Sequence, residues 1–539
     1  MEAGLEVPFV AAEERRWDFG DQTPNVVAKQ TSHAFQKPGR YVVKSFEGQA
    51  LREQLTLVVS PRAAFHLVPP DARFAVIARG LEDFGPAIDF GERLAGAESA
   101  QAWLDGAPLL GWAFEQASAG SSSVIDPREG LATFAWSDTE DARVSVVGIN
   151  DSQKALEVLK AWLVEHEWAP VSVVQGLWRY EHEERALDVF VDRGALYAVE
   201  TPVAHRVPSA QTRIAAASAQ GLETDGTIAT ALDALPSGGL VLFSRAPEAL
   251  SWRFLTAAVR ISGNEARLEG KLHGPKPLWA TPQLDEQVRF LRHAPEAPVL
   301  VASASLPTQE LAALLLGTPG TPKRKELEAE LLAQGTDLER AIAAFAGLFE
   351  LSVYADVPGF VRATLAAGGK PQLQGTILFE APVTADAALE GFVDALARRW
   401  DLELTKAREK QLRVWRGLVS ARLVEVALTT QSLYARLGSP IEGREPADLR
   451  AMLSKRYDGA FGPGHVSVFI DVGQLRKELL FPRQLNGVDP RRALTAQALA
   501  ATILDQLTQL DSALIDLVPA PEGAMVQAVL QLRPPADQR

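Results

Sequence analysis

The side chains able to do chemistry in this 539-residue chain are few and scattered. Cysteine is absent, which removes thiol nucleophiles, thiolate zinc sites and disulfides together. The histidines stand at His33, His66, His166, His182, His205, His273, His293 and His465. No two are four residues apart, the spacing that puts two imidazoles on one helix face, and no HExxH zinc motif occurs. His166-Glu167 reads as a helix end and His182-Glu183-Glu184 as a polar strand or turn. A G-x-S-x-G nucleophile elbow is also lacking, so the GSSS run from Gly120 reads as a loop. GTPGTPKRKE from Gly317 misses the phosphate-loop spacing, and its prolines remove backbone N–H donors. It reads as a linker into a helix. Glycoside chemistry needs two carboxylates that meet only in three dimensions, and the sequence marks out no such pair. No catalytic residue and no metal ligand is assigned from the sequence, and no ligand-binding residue is identified.

Two dipeptides hold more interest. Trp178-Arg179 and Trp415-Arg416 stand 237 positions apart, and so do Leu196-Tyr197 and Leu433-Tyr434. An exposed indole stacks on sugar rings and a guanidinium clamps carboxylates, so the pairs could form two equivalent binding sites. A strand sends neighbouring side chains to opposite faces, however. Trp turned inward and Arg outward is the simpler expectation.

The surrounding elements recur in the same order. Helical runs at Ala155-Leu156-Glu157 and Ala388-Leu389-Glu390 are closed by Trp168 and Trp400. ARFAVIARGL after Asp71 matches APVLVASASL after Glu296, LATFAW at Leu131 matches LSVYAD at Leu351, and GGLVLF at Gly238 matches GHVSVF at Gly464. Each copy reads as strand, helical segment, strand pair, helix, three strands, helix, strand and a final hairpin. The hairpins are expected from Ala258 to Leu272 about Gly263-Asn264, and from Leu514 to Leu532 about Pro521-Glu522-Gly523. In the helix after Asn150, the apolar residues Ala155, Leu159, Trp162 and Leu163 share one face, with Asp151 or Ser152 as N-cap. Helices between Lys323 and Phe349 break at Gly335, and Thr336-x-x-Glu339 has the form of a capping box. Strands outnumber helices, which favours antiparallel sheets with helices packed on one face over a parallel α/β fold.

Residues 1–61 read as all-β: Tyr41 to Phe46 and Leu51 to Val59 flank Glu47-Gly48 as a hairpin. WDFGD from Trp17, SHAF from Ser32 and KPGRYVV from Lys37 resemble the WDFGDG, H-T-Y and PG-x-Y-x-V landmarks of the polycystic-kidney-disease (PKD) domain. That resemblance implies a small immunoglobulin-like sandwich of the kind common on bacterial surface proteins. Gln22 replaces the usual second glycine. Some relatives bind calcium, which directs attention to Asp18 and Asp21, although two carboxylates fall short of the six to eight oxygens calcium takes. Trp17 and Tyr41 are expected in the core, with both aspartates bonding turn backbone.

Beyond residue 63, PPDARFAVIAR and VIDPREGLATFA resemble landmarks of an uncharacterised family of exported proteins from high-GC bacteria. This implies an extracytoplasmic location and assigns no activity.

Composition narrows the function classes. Apolar residues make up 47% and charged residues 23%, as in folded globular chains. The formal charge is -14, and basic residues cluster only in short runs such as Lys323-Arg324-Lys325. Nucleic acid requires a basic stripe to displace counterions, and none is present. The longest apolar run, from Val299 toward Leu306, is far below the roughly 20 residues of a membrane helix. Met1-Glu2-Ala3-Gly4 does not open a signal peptide, so an export signal or lipid-bearing cysteine is expected upstream of residue 1.

The expected architecture is therefore a multidomain chain: a PKD-like sandwich over 1–61, then two homologous α+β domains over 63–280 and 281–539. The expected role is non-enzymatic, a binding or scaffold protein of the periplasm, outer membrane or cell surface. Its partner would be an envelope protein or a surface glycan or peptide. The alternative is a carrier holding a peptide, glycan or lipid in a cleft between the lobes, near residues 200–300. A third is a hydrolase with carboxylates from both lobes. No cofactor is expected.

Overall fold

The computed structural model describes residues 6–534 except 36–38, 60–63, 79–80, 96–106, 119–123, 127–129, 137–141, 175, 193, 204–213, 215–220, 237–238, 247–251, 280–289, 310–311, 313–319, 334, 357–358, 360–362, 364–374, 385–386, 400, 410–411, 420–421, 442–443, 463, 481–490, 492–493, 495–497 and 499–508. The GSSS run and Gly317 fall outside these residues, as do His205 and Trp400. The chain divides into two compact units, Met1–His273 and Gly274–Arg539.

Unit one opens with a four-stranded antiparallel sheet in the order β2-β1-β3-β4, from β1 (Glu6–Asp18), β2 (Val26–Ala34), β3 (Gly39–Glu47) and β4 (Ala50–Val59). The β3–β4 hairpin turns about Gly48, as the sequence suggests. One face of this sheet buries Phe9, Trp17, Phe19 and Phe35, and the Trp17 indole donates to the Ala28 carbonyl at 3.0 Å. Among the described residues these four strands pair as one sheet; β1 is long, and its register with β2 shifts between Val10 and Arg15. Gly20 of WDFGD sits at φ 74°, where a Cβ would come 2.7 Å from the Val42 carbonyl oxygen. Gln22 has φ 69°, a left-handed backbone that suits the glycine of the PKD landmark.

A second sheet follows, from β5 (Ala72–Ala78), β6 (Leu131–Trp136), β7 (Arg143–Gly148), β8 (Ala169–Val174), β9 (Leu177–His182), β10 (Arg185–Asp192), β11 (Ala195–Pro202), β12 (Leu240–Arg245), β13 (Phe254–Ser262) and β14 (Glu265–His273). Its order is β8-β9-β10-β11-β7-β6-β5-β12-β13-β14, with every pairing antiparallel. Helices α1 (Leu81–Ala95), α2 (Pro108–Ser118) and α3 (Ser152–Glu165) cover one face, where Phe84, Trp112 and Leu159 meet Leu131, Val189 and Leu196. Helix α4 (Gly226–Asp233) covers the other, where Ile228 and Leu232 meet Ile77, Phe134 and Phe243. Helices thus lie on both faces rather than one. The reason is visible in the strands: LATFAW and RVSVVG are buried at both parities, so each side needs a cover.

Unit two contains β15 (Ala294–Pro295), β16 (Leu300–Ser305), β17 (Leu348–Ala355), β18 (Gly375–Pro382), β19 (Thr405–Glu409), β20 (Leu412–Val419), β21 (Arg422–Leu428), β22 (Ser432–Leu437), β23 (Pro446–Ala447), β24 (Val466–Asp471), β25 (Leu510–Ala520) and β26 (Gly523–Leu532). Apart from the short β15–β23 pair, its sheet runs β19-β20-β21-β22-β18-β17-β16-β24-β25-β26, again antiparallel throughout. Place for place, this is the order of the large sheet in unit one. Helices α5 (Pro322–Ala333), α6 (Leu338–Ala343) and α7 (Ala387–Arg399) pack through Leu331, Ile342 and Ala395. Leu389 and Val393 of α7 meet Trp415 and Leu433 on one sheet face. Helix α8 (Leu449–Arg456) lies on the other, against Val301, Phe469 and Leu514. An additional helix, α9 (Val472–Leu480), follows β24.

Local chemistry explains the element ends. The Asp151 carboxylate accepts from the Gln153 and Lys154 N–H groups, and Asp225 and Asp448 cap α4 and α8 in the same way. Hairpins close at Gly263-Asn264 and Pro521-Glu522, as expected. Two expectations are corrected. Four strands rather than three follow α3 and α7, the extra ones being the short strands β8 and β19. The cap of α6 is Asp337, which accepts from the Arg340 N–H, and not Thr336; the Glu339 carboxylate instead pairs with Arg324.

Replacing Gln22 by glycine relieves the left-handed strain at a turn held by its neighbours. It is expected to stabilise the N-terminal sheet by about 0.5–1 kcal/mol. Slower hydrogen exchange across residues 15–34 would register the gain, and unchanged or faster exchange would refute it.

Candidate functional site

The Trp-Arg pairs occupy matching places in the two sheets. Trp178 on β9 faces Val189 of β10, and Trp415 on β20 faces Val426 of β21. Trp178 turns toward the face covered by α1, α2 and α3, and Trp415 toward the face covered by α7, as strand alternation allows. Trp415 is 1% exposed, and its Nε1 donates to Asp394 at 2.6 Å. Trp178 is half-buried, with the Lys160 ammonium 4.2 Å from its ring centroid. Two equivalent sugar platforms are therefore not formed. The arginines are braced on the other face, Arg179 to Asp188 at 3.3 Å and Arg416 to Glu425 at 2.7 Å. This brace between neighbouring strands recurs with the same 237-residue displacement.

The largest concentration of reactive groups was not foreseen. On the α8 face of unit two, one row across the sheet reads Tyr434, Glu380, Glu350, Ser303, Ser467, Asp516, each opposite the next on the adjoining strand. Glu350, Ser303, Ser467 and Asp516 are each no more than 2% exposed. The corresponding row in unit one reads Tyr197, Val146, Ala132, Ile77, Val241, Ala258. The tyrosine is common to both rows, and the five positions after it are aliphatic in unit one and polar in unit two.

Buried polar groups need partners, and this row has them. Arg450 of α8 donates to Ser303 Oγ at 2.7 Å, to Glu350 at 3.2 Å and to the Phe461 carbonyl. The other oxygen of Glu350 accepts from the Leu291 N–H at 3.2 Å. Ser467 Oγ donates to Asp516 and accepts from the Phe461 N–H at 3.2 Å. His465 Nδ1 pairs with Asp516 at 3.0 Å. On the same face of β17, the Tyr354 hydroxyl donates to the Pro295 carbonyl at 2.6 Å, and burial pushes it up to about 12.

Serine, histidine and aspartate thus meet, but in the wrong order for a hydrolytic triad. In such a triad the imidazole stands between acid and alcohol and takes the serine proton. Here the carboxylate stands between, and the serine proton points at Asp516. The hydroxyl is held as a structural donor, not prepared as a nucleophile.

The remaining sequence candidates are likewise engaged. Asp18 accepts from the Gly20 N–H at 3.0 Å, and Asp21 from the Thr23 hydroxyl and from His33, both at 2.7 Å. Burial works to raise the Asp21 carboxyl, but the Thr23 and His33 hydrogen bonds outweigh it and hold the group below its ordinary range. His33 also stacks on Phe19 at 3.8 Å. Arg324, from the short basic run, is fully buried and paired with Glu328 and Glu339. His166 stacks on Trp162 at 3.9 Å, while His273 meets Thr256 at 2.9 Å. Among the described residues, no group of three His, Asp or Glu is placed to hold a metal, and no helix is long and apolar enough to cross a membrane. Residues 204–213, 215–220, 247–251 and 280–289, in the stretch expected to border a cleft, lie outside the described residues. Set against family models, curated proteins and solved structures, the chain matches none.

Truncating Arg450 to alanine strands a buried Glu350 and is expected to destabilise unit two by about 3–5 kcal/mol. The double variant Arg450→Met with Glu350→Gln removes both charges, keeps an acceptor for Leu291, and should recover most of that loss. Urea unfolding with hydrogen exchange resolved over residues 274–539 measures both; equal losses in the single and double variants would contradict the account.

Asp21 supplies a pH signature. Its carboxyl is depressed in the folded chain, so its stabilisation is present above the unfolded-chain value and lost as pH falls through the folded value. Asp21→Asn should cost about 1.5–3 kcal/mol at neutral pH and flatten the acid dependence of exchange in β1 and β2. An unaltered acid profile in the variant would exclude this role.

Proposed function

We propose that the chain is a non-enzymatic binding or scaffold protein of the bacterial cell envelope. In this reading an ancestral α+β unit was duplicated, and a PKD-like module precedes the two descendants. One observation carries the non-enzymatic assignment: in the buried row, each group resembling catalytic machinery is held by another in an arrangement that fixes structure. The counterpart row in the other sheet keeps none of the polar groups after the tyrosine. A reaction shared by both units would have left reactive side chains at both places.

The duplication is supported by the common strand order, by the recurring Arg–acid brace and by the fixed displacement of Trp178, Asp188, Leu196 and Tyr197 onto Trp415, Glu425, Leu433 and Tyr434. The PKD-like reading is supported by Gly20 and Gln22 at positive φ within WDFGDQ, and by the His33–Asp21 pair linking two of the landmarks. The envelope location rests on the sequence resemblances. The partner would be an envelope protein or a surface glycan or peptide.

Affinity capture from envelope fractions of the source organism, with the full chain as bait, tests the reading. A partner retained from the envelope and absent from a cytosolic control is expected. Recovery of only cytosolic enzymes would overturn it.

A further inference from the structure

We draw no further inference here: the strongest candidate, the aliphatic face of the unit-two sheet opposite α8, where Val468 and Ile470 of β24 stand beside Ile515 and Ala513 of β25 and Ile470 and Ile515 are 37% and 50% exposed, carries nothing because nothing among the described residues shows what covers it.

Discussion

Each unit depends on a wide antiparallel sheet that is covered on both faces. In such a sheet neither parity of a central strand is free to be polar without consequence, because alternate side chains enter two separate cores. Val144, Val146, Phe134 and Phe243 fill one core of unit one, and Val147, Leu131 and Leu240 the other. The helices follow from this demand. Once both faces of β5, β6 and β7 are apolar, covers are needed on each side, which α1, α2 and α3 supply on one and α4 on the other.

The polar row of unit two is the main departure from that demand, and its partners show how the departure is sustained. Arg450 reaches the sheet from a helix capped by Asp448, and Phe461, at φ 62°, offers its carbonyl to Arg450 and its N–H to Ser467. Partners therefore come from outside the sheet ladder, from α8 and the loop after it. Buried ion pairs of this kind add little net stability over an apolar filling of the same volume, while removal of one partner is severe. The aliphatic row of unit one is that apolar filling within the same strand order.

How much of this was legible follows from the distance over which each signal acts. Local signals were readable. The hairpins at Gly263-Asn264 and Pro521-Glu522, the Asp151 cap and the turn of Arg179 and Arg416 to the sheet face opposite the neighbouring indoles depend on neighbours within a few positions, although Arg179 is largely buried there and only Arg416 is exposed. The cap of α6 was misplaced by one residue because Thr336 and Asp337 both suit the role, and burial of Thr336 at 1% exposure decides between them. Strands β8 and β19 were merged with their neighbours because short edge strands lack the buried alternation that reveals a strand. The polar row left no local mark at all. Ser303, Glu350, Ser467 and Asp516 adjoin only through the strand order, and each alone resembles an ordinary strand residue facing water.

Comparison of the two sheets separates what this frame requires from what it tolerates. Trp178 and Trp415, Leu196 and Leu433, and Tyr197 and Tyr434 keep their identity, while Asp188 and Glu425 keep their charge against an arginine. These positions lie on β9, β10, β11 and their counterparts, where the helix-facing indole and the cross-strand ion pair fix the register of adjacent strands. Register must be fixed here because a one-residue slip would exchange the two cores. Toward β5, β12 and β13 the register is also set by the hairpin β13–β14 and by the approach of α4, so a polar side chain can stand there where a partner such as Arg450 is supplied. The aliphatic and polar rows diverge in that region, and a difference in role between the units has room to arise there without disturbing the fold.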